Sequence, residues 1–473
     1  MYYFAAVAAH QSSFSLLFLF HITYGSDRSN IPVLVVFIII AIRVCIAFFR
    51  FIRLPVFHTK HTIIPLDHLP LSHSDTTHTQ SHTTHKRMLI IPLKVPVKTD
   101  LKAPLVAWLD APPDYELFAN PMAFTCLKPS FTSAHCYKDV TRLASLRNCL
   151  ADAIMKPMSH RHALDDMALS DLHEYHAVLR IFQSHAFPTF DEDSPLQLTW
   201  KAAVGPQQES HGSLIWDSVC TLWNIAALES FLGSQCGTDK KEERKQAVKH
   251  YQNAASTMHH LREAMKGQCF ETVDMSGALL EFWERAMLGC AQMAAYEMVL
   301  KGEDPPKHAL LSYLAMGAVP VFNEALVLSK DPLLVSNLPK PILEWGARCK
   351  YWSMILTAKA EYHQAVAARQ ASDWGTEIMR LDQALKSLLS CKEFADSVEE
   401  LSDVMREVNA LIALVKDRKA QADKDNRDFM YGDAQIGGTL PPIRQQLLAK
   451  ADLPMPETMT IPKVPLFTGV PAS

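Results

Sequence analysis

Glycine is scarce in this chain, with only 16 among 473 residues. A glycine inside a helix is roughly 1 kcal/mol less favourable than an alanine, so a glycine-poor sequence rich in Ala, Leu, Glu and Lys favours helix over sheet. An excess of basic residues is also missing, because the net charge is −4. The composition therefore predicts a helical globular protein and no nucleic-acid partner.

Three sequence motifs typical of common enzyme classes are absent from the sequence. There is no phosphate-binding G-x-x-x-x-G-K-[ST], no dinucleotide-binding G-x-G-x-x-G and no nucleophile elbow G-x-S-x-G. The ten cysteines are scattered and form no C-x-x-C pair, which is typical of reduced thiols in the cytosol. We predict no catalytic residue, no cofactor and no small-molecule substrate.

One short motif resembles a metal site without meeting its requirements. In "HEYH", His173 and His176 are three residues apart. The zinc-protease motif H-E-x-x-H needs histidines four apart, on one face of a helix. The histidines of the low-complexity tract, such as His78, have no surrounding core to fix them. We therefore predict no metal site.

Residues 1–87 differ in composition from the rest of the chain. The apolar stretch 31–52 is close to the length that spans a bilayer, but Arg43 lies inside it. A Thr/His-rich low-complexity tract follows, from Phe57 to Arg87. Two interpretations stay open. Either 31–52 is a transmembrane anchor, or translation begins at Met88 and the apolar, low-complexity leader is a gene-model artefact.

From about residue 137 onward the apolar residues follow the spacing of helices. Residues at steps of three and four share one helix face, and stripes of this width normally face a core. We predict antiparallel helix pairs from about 137 to 430. The clearest stripes are Trp345, Cys349, Trp352 and Leu356, and Leu401, Met405, Val408, Ile412 and Val415.

Two stretches have the pattern of β-strand. The first, Met88–Val97, is apolar and punctuated by proline. The second, Pro195–Trp200, alternates apolar and polar residues after an acidic turn. We therefore predict a small β element at about 195–204 on an otherwise helical body.

Eight segments from Met88 onward resemble, in order, those of the BRO-one domain family, the Alix and rhophilin group. One such segment has little specificity, whereas eight in the right order over about 380 residues are specific. The segments are MLIIPLKVPVKTDLKAPL, YKDVTRLASLRNCL, LQLTWKAAV, SLIWDSVCTLWNIAALESFLG, QAVKHYQNAASTMHHLRE, MLGCAQMAAYEMVLK, AKAEYHQAVAARQASDWGTEIMRL and DKDNRDFMYGD.

The resemblance implies a fold and a function for residues 88–473. The fold would be an all-α, curved (banana-shaped) helical solenoid with tetratricopeptide-like helix pairs and a small β-hairpin. The function would be that of an endosomal sorting adaptor, cytoplasmic and peripheral on endosomes. Its partner would be the C-terminal amphipathic helix of an ESCRT-III subunit, a charged multivesicular body protein. The alternative is a signalling scaffold of the rhophilin or pH-response type, which uses the same domain for another peptide.

The resemblance also implies positions for docking the partner helix. Leu310, Leu311 and Leu314 occupy the family's apolar docking positions, and Leu448 matches a flanking apolar position. Tyr296 lies on the preceding helix, where animal members of the family carry aromatic residues. We expect these five side chains to form the surface that takes the apolar face of the partner helix.

Tyr431 is the last residue to which the resemblance assigns a role. It lies in the segment Asp423–Asp433 and matches a tyrosine that contacts signalling kinases in some family members. The alternative is a structural tyrosine that closes the last helix, and this is the interpretation that we favour.

Overall fold

A computed structural model of the chain describes seven ranges of residues: 88–110, 134–155, 166–184, 196–267, 272–302, 305–429 and 439–450. The chain divides into two units, Met1–Asp75 and Thr76–Ser473, and every described residue belongs to the second. The predicted leader 1–87 and Tyr431 lie outside the described residues.

Eleven α-helices and three short strands are formed within the described ranges. The helices are α1 (Lys102–Asp110), α2 (Ala134–Met155), α3 (Asp166–Ser184), α4 (Leu214–Gln235), α5 (Lys241–Ala264), α6 (Gly277–Leu300), α7 (His308–Leu328), α8 (Pro332–Asn337), α9 (Pro339–Gln370), α10 (Trp374–Asp396) and α11 (Met405–Phe429). The strands are β1 (Val95–Pro96), β2 (Leu198–Lys201) and β3 (Gln208–His211).

The helices stack in the order of the chain. From α4 to α7 each helix packs on the next, α7 then packs on α9, and α10 and α11 complete the series. Polar side chains start several of them: the hydroxyl of Ser213 accepts a hydrogen bond from the amide of Ile215, and Ser276 and Asp373 cap α6 and α10 in the same way. The prediction of an all-α fold built from stacked helices is confirmed.

Apolar spacing predicted the core-facing residues of the longest helix. On α9, Cys349, Trp352 and Leu356 are buried, and Trp345 is partly buried against Trp283 of α6, with ring centroids 4.6 Å apart. Such stripes bury apolar area on both neighbouring helices and account for most of the stability of the stack.

The β element is larger than the predicted hairpin. Strand β2 falls within 195–204, as expected, but its hairpin partner β3 begins only at Gln208. The two strands pair antiparallel, with Leu198 opposite His211. Strand β1 adds to the other edge of β2, with Val95 opposite Lys201, so the sheet has three strands in the order β1-β2-β3.

The extended segment before β1 is part of the folded body. Met88, Leu89 and Ile91 are buried. The amide of Ile91 donates to the Ser230 hydroxyl at 3.0 Å. Asn224 of α4 exchanges two hydrogen bonds with the backbone of Lys94, at 2.8 and 2.9 Å. This part of the chain is therefore fixed by specific hydrogen bonds as well as by apolar burial.

A buried ionic cluster joins α2, α3, β2 and α4. The carboxylate of Asp217 pairs with the guanidinium of Arg147 at 3.1 Å, and both side chains are almost fully buried. Trp200 donates its indole N–H to the same carboxylate at 2.7 Å, and the hydroxyl of Tyr175 donates to it as well. A charge buried this deeply is tolerated because it is paired and hydrogen-bonded.

Candidate docking surface

Helix α7 carries three of the predicted docking residues, and it lies between α6 and α9. Leu311 and Leu314 are fully buried, whereas Leu310 is only partly buried. The expectation that Leu311 and Leu314 are surface contacts is wrong for this structure, because both side chains belong to the buried core. α7 is also the one described helix long and apolar enough to cross a membrane, but half of its apolar window is buried in the stack.

Tyr296 is also a core residue. Its side chain is 2% exposed on α6, and its hydroxyl lies 2.8 Å from Nε2 of His363 on α9. Burial raises the pKa of Tyr296 to about 12. The expectation that Tyr296 contacts a partner is therefore also wrong, since its ring is buried and its hydroxyl is hydrogen-bonded to α9.

A pair of histidines joins this hydrogen bond to the start of α7. Nδ1 of His308 lies 3.1 Å from Nδ1 of His363. Burial lowers the pKa of His363 to about 3 and also lowers the pKa of His308. Both rings are therefore neutral near pH 7, and one of the two nitrogens donates while the other accepts. The pair fixes the first turn of α7 to α9.

Residues 439–450, which we call the strap, cross the helices without forming a helix or strand. Arg380 of α10 donates a hydrogen bond to the carbonyl of Pro441. Further along, the amide of Gln446 donates to the carbonyl of Tyr313 on α7, at 3.0 Å. The strap is thus held at one end by α10 and further along by α7.

The buried amide of Gln292, on α6, binds the strap and α7 at once. Its Nε2 donates to the carbonyls of Leu314 and Gln446, at 3.0 and 2.8 Å. Its Oε1 accepts from the amides of Leu448 and Ala449, at 2.8 and 3.1 Å. All four hydrogen-bonding positions of the side chain are therefore used, three of them on the strap.

The outer side of the strap exposes two leucines. Leu447 and Leu448 of the strap are 47% and 43% exposed. Leu310 lies one helical turn before Leu314. The side-chain amide of Gln292 donates hydrogen bonds both to the carbonyl of Leu314 and to the strap. This arrangement suits the apolar face of an amphipathic peptide with acidic flanks. The exposed charged residues of the strap are both basic, Arg444 and Lys450.

The histidines of the "HEYH" motif lie on α3. His176 is 2% exposed, both of its ring nitrogens lack a hydrogen-bond partner, and burial lowers its pKa to about 3. Burial likewise lowers the pKa of His173. Among the described residues, no three side chains of metal-binding type come together.

Sequence reasoning proposed Leu310 and Leu448 as docking residues but did not identify the residues that hold the strap in place. Gln292 offered a signal, because it is the one strongly polar residue in the apolar run Met287–Tyr296, and a buried amide needs partners. The strap offered none, since it has neither helical nor alternating spacing.

Solved structures with this fold include two complexes of ALIX. The "ALIX BRO1 CHMP4C complex" matches with a TM-score of 0.66 and 25% identity, over 81% of this chain and 100% of that one. ALIX in complex with the SIVmac239 PYKEVTEDL late domain matches with a TM-score of 0.62 and 26% identity, over 78% of this chain and 50% of that one. Stacked helices of this kind are a class of scaffold that presents extended binding surfaces.

Curated relatives lead to the same family. Human programmed cell death 6-interacting protein is 30% identical over 259 residues, which are 52% of this chain and 28% of that protein. ALG-2 interacting protein X of Dictyostelium discoideum is 23% identical over 345 residues, 72% of this chain and 41% of that protein. The chain thus spans less than half the length of either. The BRO1-like domain family matches residues 125–471, and this chain belongs to it.

Proposed function

We propose that this chain is an endosomal sorting adaptor that binds the C-terminal amphipathic helix of an ESCRT-III subunit of the charged multivesicular body type. One observation supports this most directly: a BRO1 domain solved with CHMP4C is matched over its whole length by this chain. In this proposal the protein is cytoplasmic, associates peripherally with endosomal membranes and acts as a scaffold with no catalysis of its own.

The proposed mode of binding is a helix laid on an apolar surface. Leu310 of α7 and Leu447 and Leu448 of the strap would receive its apolar face. Burying a leucine completely contributes roughly 1.5–3 kcal/mol, and these three side chains start only partly buried. Arg444 and Lys450, the exposed basic residues of the strap, would favour a helix with acidic flanks and speed its association at low salt.

The test is the affinity of the full chain for a synthetic C-terminal helix of a charged multivesicular body protein, measured by fluorescence anisotropy. Leu448→Asp and Leu310→Asp each place a charge in the apolar contact and should weaken binding by at least about tenfold, or ~1.4 kcal/mol. Leu343→Asp is the matched control, because Leu343 is 63% exposed at the start of α9 and should not matter.

Circular dichroism and thermal melting of each variant separate lost binding from lost folding. A folded Leu448→Asp protein with unchanged affinity would remove the strap from the proposed site. Failure of the wild-type chain to bind any such helix would contradict the adaptor function and leave the signalling-scaffold alternative.

A further inference from the structure

We propose that Gln292 and Gly317 are positioning residues of the docking surface, which hold the strap so that Leu447 and Leu448 face outward. This inference depends on the proposed function only in what it says about partner binding. The positioning itself is a property of the unbound chain. Neither residue would touch the partner helix, and both would act through the strap.

A glutamine side chain is unfavourable at the buried position of Gln292 unless the strap is bound to it. Its side chain is fully buried, and three of its four hydrogen bonds go to strap backbone atoms. With the strap removed, the Oε1 atom would lose both of its donors, and one N–H of the amide would lose its acceptor. Burying unpaired polar groups is unfavourable, so an apolar residue would serve the helix pair better than Gln292 does.

Gly317 supports the same conclusion from the neighbouring helix. It lies inside α7, where glycine is less favourable than alanine. A Cβ at this position would lie 2.2 Å from the carbonyl oxygen of Gln446 and 2.7 Å from its carbonyl carbon. Any side chain would therefore push the strap away. The glycine permits the close approach of the strap backbone to α7.

The strap is held mainly through its backbone, and this leaves the side chains of Leu447 and Leu448 partly exposed. The amides of Gln446, Leu448 and Ala449 and the carbonyl of Gln446 bind the body. Ala449 is fully buried, while Leu447 and Leu448 are nearly half exposed. Fixing the backbone before the partner arrives lowers the entropy lost on binding.

Two variants test the positioning, and a third is the control. Gly317→Ala should displace the strap while leaving the helical body at least as stable, because alanine is the better helix former. Gln292→Met removes the amide and keeps an unbranched side chain of similar size. Tyr296→Phe is the control, because it removes a buried hydrogen bond from the same helix, α6, without touching the strap.

The first readout is hydrogen exchange of the full chain without any partner. In Gly317→Ala and Gln292→Met, the amides of Gln446, Leu448 and Ala449 should exchange faster by about tenfold or more, as expected when local opening becomes easier by ~1.4 kcal/mol. In Tyr296→Phe they should exchange as in the wild type. Unchanged strap protection in both test variants would overturn the proposal.

The second readout is a double-mutant cycle on binding of the synthetic helix. Leu448→Asp should lose most of its effect on affinity in the Gly317→Ala background, because the strap no longer presents Leu448. A full effect in that background would also overturn the positioning role. If the wild-type chain binds no helix, the proposed function fails, and the exchange experiment still decides the role of Gln292 and Gly317.

Discussion

The ammonium of Lys94 lies 2.6 Å from a carboxylate oxygen of Asp274, and both side chains are fully buried. The same oxygen accepts the amide of Ala203 at 2.8 Å, and the ammonium lies 5.3 Å from the ring centroid of Trp216. The ion pair therefore ties the extended segment before β1 to the turn that precedes α6.

Removing one partner of this pair should destabilise the fold strongly. Lys94→Met leaves the Asp274 carboxylate buried without its counter-charge, and we expect a loss of about 3–5 kcal/mol in the free energy of unfolding. The double variant Lys94→Met/Asp274→Asn should recover part of that loss, because the amide can still accept from Ala203. Urea denaturation measures both. A loss below about 1 kcal/mol in the single variant would contradict the assigned role.

Truncation at the amino-terminal side should show a sharp boundary. A fragment that begins at Met88 should melt near the temperature of the full chain, because the tract Phe57–Arg87 is polar and without periodicity. A fragment that begins at Lys98 lacks the buried Met88, Leu89 and Ile91 and should be much less stable. Differential scanning calorimetry compares them. A Met88 fragment that melts far below the full chain would show that the leader belongs to the fold.

The buried histidine of α3 should make the protein sensitive to acid. Burial lowers the folded-state pKa of His176 from 6.5 to about 3. Between those values the unfolded chain binds a proton that the folded chain excludes, so the free energy of unfolding falls as the pH drops below 6.5. His176→Leu should reduce the loss of stability between pH 7.5 and about pH 4.5.

Some acid sensitivity should remain in that variant, because burial lowers the pKa of His363 to about 3 as well. Urea denaturation at the two pH values measures the change. An equal loss of stability in wild type and His176→Leu would show that this ring does not carry the effect.

Truncation of Leu314 and truncation of Leu448 should have different effects on stability. Leu314→Ala removes a fully buried side chain and should cost about 2–5 kcal/mol of stability. Leu448→Ala removes a half-exposed one and should change stability by about 0.5 kcal/mol or less, while weakening the proposed partner binding. Thermal melting and anisotropy on the same samples separate the two. A stable Leu314→Ala protein would contradict the burial of Leu314.

Spacing of apolar residues was enough to predict α2 to α11, which lie between residues 134 and 429 against an expected 137 to 430, but it did not predict α1 (Lys102–Asp110). It could not tell which leucines of α7 face outward. The run His308–Leu328 is apolar on nearly every side, so Leu310 and Leu314 look alike in sequence while only one reaches the surface. Which face is covered depends on α6, α9 and the strap together.

The place of β1 in the sheet and the path of the strap escaped prediction for a related physical reason, although β1 itself lies inside Met88–Val97, a stretch that the sequence predicts as strand. Both segments are held by backbone hydrogen bonds to distant residues, such as Val95 beside Lys201 and Gln446 beside Gln292. Backbone recognition places few demands on side-chain type, so it leaves little pattern in the sequence. Gly317 is an exception, because there the close approach excludes every side chain.

The path of the strap has a consequence for cooperativity. In a stack where each helix mainly touches its neighbours, one end can unfold while the other stays folded. The strap joins Arg380 of α10 to Gln292 of α6, and so connects two helices that are separated in the stack by α7 and α9. Unfolding at the α10–α11 end would release the strap from α10 and weaken its contacts with the α6–α7 pair in the middle of the stack, so the two regions should melt in one transition instead of two.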